Sequence, residues 1–89
     1  DYEVQMLIAD NYYSMKRMDL AEERYIKASN MCPNRFLPLY RLVSVYDKMN
    51  REKDALNMVT RILNKKVKIS SVIIDSIRME MQRRINQQM

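Results

Sequence analysis

The side chains with most chemistry to offer are three aspartates, Asp10, Asp47 and Asp75, a lone Cys32, and the cations Arg61, Lys65, Lys66, Lys68, Arg83 and Arg84. Converging carboxylates can pass a proton or hold a metal, a thiolate can attack an electrophile, and clustered cations can grip phosphate. Each of these roles needs helpers, and the helpers are missing. There is no histidine, so no imidazole exists to activate Cys32, to ligate zinc or to act as an acid or base near neutral pH. Cys32 sits beside Pro33 at a helix end and reads as a half-buried structural thiol. The three aspartates come from different stretches, with Arg41, Lys48 and Arg78 near them, so surface ion pairing explains them better than a metal site. There is no glycine either, so no loop can cradle a phosphate with bare backbone. No catalytic residue, metal site or cofactor is assigned, and the fragment is read as non-enzymatic.

The elements that must position these groups follow from composition. At 89 residues, 47% hydrophobic and 30% charged, the chain has room for one small folded domain spanning 1–89. Without glycine, and with only Pro33 and Pro38 as breakers, helices are favoured over turn-rich β structure. Net charge is +5 and unevenly spread: residues 1–34 carry 4 basic and 6 acidic side chains, residues 35–68 carry 9 and 3, and residues 69–89 carry 3 and 2. The chain opens on Asp1 with no leader pattern and holds no apolar run long enough for a membrane span, and it reads as a piece of a longer protein.

Sliding the sequence against itself by 34 residues pairs Ile8 with Leu42, Ala9 with Val43, Tyr12 with Tyr46, Met15 with Met49, Ala21 with Ala55 and Tyr25 with Val59. Leu39, Leu42, Val43 and Tyr46 make one apolar stripe at i, i+3, i+4 and i+7; the first copy repeats it as Ile8, Ala9 and Tyr12, with polar Gln5 in place of Leu39 and Val4 available to cover that end. Ala21 and Ala55 are small enough for two helix backbones to approach closely. Lys16 and Asn50 fall between the paired helices, where Asn tolerates the left-handed conformation and Lys would adopt it at about 1 kcal/mol. Most of the nine methionines, Met15, Met49 and Met58 among them, are placed where helices pack. After a basic connector, Asn64 to Lys68, a fifth helix begins near residue 70, with Ile69, Ile73, Ile77, Met81 and Ile85 four apart. Strict 34-residue register would put Ser76 and Glu80 in its core, so it is expected to have slipped by a residue or more.

Ala9, Tyr12, Ala21, Tyr25, Ala28 and Pro33 stand in the order and spacing of the tetratricopeptide family, which the chain resembles. The second copy keeps Tyr46 and Ala55 but has Ile62 where the family prefers Ala and Val67 where it prefers Pro. The resemblance implies an all-α fold: two antiparallel helical hairpins, about 2–34 and 36–68, and a capping helix at about 70–88, forming a right-handed α-solenoid. It also implies a concave groove opposite the core stripes, lined by Met6, Asp10, Tyr13, Tyr40, Arg41, Ser44, Asp47, Lys48, Ile74, Asp75 and Arg78, that binds a protein or peptide partner. The family's clamp for a chaperone's C-terminal carboxylate is absent, because its positions hold Met6, Asp10, Arg41, Ser71 and Asp75.

The competing reading is a basic module whose patch of Arg61, Lys65, Lys66, Lys68, Arg83 and Arg84 contacts an anionic membrane surface; nucleic acid is disfavoured because no aromatic platform is interleaved with the patch. A narrower likeness comes from Ala28–Tyr40, with its Pro-Asn-Arg-Phe, and from Asn64-Lys-Lys-Val-Lys-Ile-Ser70. Over about residues 25–85 these resemble the C-terminal tails of O-antigen ligase and polymerase membrane proteins. That likeness implies a soluble appendage on the periplasmic side of the bacterial inner membrane, with catalysis elsewhere in the parent. The residues themselves name no partner, oligomeric state or compartment.

Overall fold

The computed structural model describes residues 1–64 and 72–88. Five α-helices occur among them and no strand: α1 (Tyr2–Ser14), α2 (Met18–Met31), α3 (Leu37–Lys48), α4 (Glu52–Asn64) and α5 (Val72–Gln88). The all-α, five-helix expectation holds. Asp1 caps α1 by accepting the Val4 amide at 2.9 Å, satisfying one of the first-turn donors. Asp19 lies in the first turn of α2, and Glu52 and Asp54 in that of α4, where the helix dipole favours negative charge. Pro38 occupies the first turn of α3, where its missing N–H is not needed, and Pro33 follows the end of α2.

The connections repeat as the residues do. Lys16 (φ 63°) and Asn50 (φ 58°) are the left-handed residues of the described chain, 34 apart. Behind each, the next amide reaches five residues back, Arg17 to the Tyr12 carbonyl at 2.8 Å and Arg51 to the Tyr46 carbonyl at 2.9 Å. This six-to-one bond, with Lys16 bonded to Tyr13 and Asn50 to Asp47, is the Schellman closure of a helix end. Three residues therefore suffice to turn α1 into α2 and α3 into α4.

Substantial packing runs between helices consecutive in sequence. One continuous core results, with Ala9, Ala21, Tyr25 and Ala28 from the first two helices, Leu39, Leu42, Val43, Val45 and Tyr46 from α3, Ala55, Val59 and Ile62 from α4, and Ile77 and Met81 from α5. The expected stripe on α3 is buried as drawn, with Val45 added.

On α1 the stripe needs correction. Ile8 is only half-buried and off the core, Val4 and Met15 are exposed, and Met6 is buried instead. The reason lies in neighbours: α3 packs extensively on both α2 and α4, whereas the extensive packing of α1 is with α2. Gln5, the polar member of the stripe, is half-buried and accepts a hydrogen bond from Arg24 Nη1 of α2 at 3.2 Å.

The last helix has slipped by one residue from strict register. Ile77 and Met81 are buried where Ser76 and Glu80 would have been. Ile69 lies outside the described residues.

Candidate functional site

A groove of about 400 Å³ runs between α3 and α5. From α3 come Tyr40, Ser44 and Asp47, at i, i+4 and i+7; from α5 come Glu80, Arg83, Arg84 and Gln87, at i, i+3, i+4 and i+7. Each set is one helix face, so the groove exists because two amphipathic helices lie side by side. Buried Val43 and Met81 supply its floor. Arg84 spans it: Nη1 donates to Asp47 Oδ2 at 2.8 Å while Nη2 donates to Oδ1, a two-pronged pair that raises the guanidinium's pKa further. The Nε of Arg84 is buried with no hydrogen-bond partner among the described residues. Nearby, the Glu80 carboxylate, and then partial burial, hold the Tyr40 phenol above its usual range.

Of the residues expected in a groove, Tyr40, Ser44 and Asp47 line this one. Other expected lining residues do not. Met6 is in the core, where its long unbranched side chain fills space beside Ala9. Ile74 is half-buried in a second, apolar depression with Tyr2, Phe36, Leu37 and Ile77, away from the groove. Arg78 donates to the Ile62 carbonyl of α4 at 3.3 Å, and Asp75 is exposed. From α5 the groove is lined instead by Glu80, Arg83, Arg84 and Gln87. Lys48 is exposed just beyond the groove lining, and Tyr13 packs half-buried against the core.

Asp10 does not line this groove. It accepts the Tyr25 hydroxyl and approaches Arg41 Nε at 3.9 Å, with both charged side chains 46% exposed. Burial, then the bond to Asp10, raises the Tyr25 pKa well above the usual phenol value. The aspartates are ion-paired singly, Asp10 with Arg41 and Asp47 with Arg84, and no cluster of metal-binding side chains occurs among the described residues. Cys32 is half-buried.

Of the basic patch, Lys65, Lys66 and Lys68 lie outside the described residues. Arg61 is exposed on α4 beside Met58, Arg83 is exposed in the groove, and Arg84, in the same groove, is bound to Asp47.

One site escaped sequence reasoning altogether. Arg51 donates to both carboxylate oxygens of Glu22 at 3.0 Å and to Asp54 at 2.7 Å, and lies 4.6 Å from the centre of the Tyr46 ring. Burial, followed by the same Glu22 carboxylate, raises the pKa of Tyr46. One arginine thereby ties α2, the end of α3 and the start of α4. Only the Arg51–Asp54 spacing of three was legible.

No family model, curated protein or solved structure matches this chain. No described helix is long and apolar enough to cross a membrane.

Proposed function

We propose that this chain is a tetratricopeptide-like interaction module, built as a short right-handed solenoid of two hairpins and a cap, that binds a peptide or protein segment in the groove between α3 and α5. The observation that carries the reading is the 34-residue recurrence: the same core residue types and the same left-handed turn closure appear at Lys16 and Asn50. The groove's mix of Tyr40, Ser44, Glu80 and Arg83 suits a peptide, since Tyr and Arg supply contact area and hydrogen bonds at modest entropic loss. The narrower resemblance makes the parent a surface-polysaccharide ligase or polymerase, this piece its appendage beside the membrane, and the role bracing or docking rather than catalysis.

Selection from a displayed random-peptide library tests the binding role. Peptides should be retained at moderate salt and lost from a Tyr40→Ala chain whose helical circular dichroism is unchanged. If nothing is selected, while the chain binds anionic vesicles or oligonucleotides at low salt and releases them steeply as salt rises, the basic-surface reading replaces this one.

A further inference from the structure

The charges that line the groove between α3 and α5 cancel, Asp47 and Glu80 against Arg83 and Arg84, but they are not equally engaged. Asp47 and Arg84 neutralise each other through both carboxylate oxygens. Arg83 has no ion pair among the described residues, although Glu80, at i−3 on the same helix, is spaced to reach it. Both side chains are exposed. The neutral groups beside them are unused as well, since neither the Ser44 hydroxyl nor the Gln87 amide has a hydrogen-bond partner among the described residues.

The order of these groups along the groove is fixed by the two helices. Tyr40 lies by Glu80 and Asp47 by Arg84, so α3 and α5 run in the same direction. One end of the groove is acidic, with the Glu80 carboxylate near the Tyr40 phenol. About 4.5 Å further along the α5 axis, Arg83 and then Gln87 line one wall and Ser44 the other, and all three can donate hydrogen bonds. An unshared carboxylate thus precedes an unshared guanidinium by about one helical turn.

We propose that the groove takes a peptide carrying two opposite charges about one turn apart: an Asp or Glu seated on Arg83 between Ser44 and Gln87, and a Lys or Arg seated on Glu80. The inference rests on the reading of this groove as a peptide site and adds the class of peptide. Recognition is by short-range pairing, because a lining without net charge does not gather ions of one sign from a distance. A uniformly acidic or uniformly basic segment meets one partner and one like charge, so the lining discriminates against both.

The probe is a displayed random-peptide library, selected in parallel on the parent chain, on Arg83→Glu and on Glu80→Lys, each variant first shown to keep the parent's circular dichroism. Peptides retained by the parent should share an acidic and a basic residue about two to four positions apart, the spacing at which side chains of an extended or helical segment stand side by side. Made as a fluorescent peptide and read by anisotropy, the best of them should bind about tenfold more weakly when its acidic residue becomes Asn or Gln, or when the chain carries Arg83→Gln. The two changes together should cost little more, because they remove one contact. Arg83→Glu should exchange the acidic residue of the selected peptides for Lys or Arg, and Glu80→Lys the basic residue for Asp or Glu. The inference is overturned, with the peptide site left standing, if the parent's peptides carry no such pair or if the two variants select the same peptides as the parent. If the parent selects nothing, the peptide site falls and this inference falls with it.

Discussion

At Lys16 and Asn50 the backbone takes a conformation that glycine adopts freely and other residues do not. Asparagine tolerates it; lysine bears the Cβ clash in full, about 1 kcal/mol. Lys16→Gly should therefore raise stability by about 0.5–1 kcal/mol in urea melts, and Asn50→Gly by less, despite the freer unfolded chain that glycine brings. A lower midpoint for Lys16→Gly would show that the lysine side chain does something at that turn. The buried phenols give a second expectation. In the folded chain Tyr25 keeps its proton to a higher pH than the usual phenol value of about 10. Its contribution is thus complete below that value and is lost as pH rises above it, where a phenolate would face Asp10. Thermal midpoints should fall on going above about pH 10, and fall less steeply in Tyr25→Phe. Tyr46, facing Glu22, adds to the same alkaline loss.

At the scale of elements, the position of α5 is the point where sequence reasoning needed the structure. Its apolar residues four apart were readable, and Ile77 and Met81 are buried as that row requires. Which of its polar residues face the groove was not readable, because the count through the connector that joins it to α4 does not preserve the 34-residue period. A slip of one residue rotates a helix by about 100° and so changes which of its polar residues flank the core; those that line the groove are Glu80, Arg83, Arg84 and Gln87. On α3, flanked by turns that obey the period, Tyr40, Ser44 and Asp47 line the groove together. The first helix was misjudged at Met6 and Ile8 for another reason: the spacing of apolar residues shows which side of a helix is apolar, not which neighbours are there to cover it. The register of α5 is open to a direct check. Met81→Ala, emptying a site that is 2% exposed, should cost about 2–5 kcal/mol, whereas Met79→Ala, at 65% exposure, should stay within about 0.5 kcal/mol in the same denaturation experiment. Equal effects would mean a different seat for the helix.

As a whole the molecule measures about 30 by 30 by 18 Å, a slab rather than a ball, because helices added one beside the next build area faster than depth. The polar ties across that slab, Arg41–Asp10 and Arg84–Asp47, link the helices that border its groove side and leave much of their side chains in water, so each adds little, on the order of 0–1 kcal/mol. Arg51, reaching three elements at once, is the tie that joins one helix pair to the next. Because the main packing joins helices that are consecutive along the chain, no distant segments must find one another before contacts begin to stabilise the assembly. Either hairpin can serve as the nucleus, and the rest can grow from it by adding one adjoining helix at a time. A chain organised in this way belongs among the fast folders, with rates on the microsecond-to-millisecond scale set by helix pairing rather than by the closing of long loops.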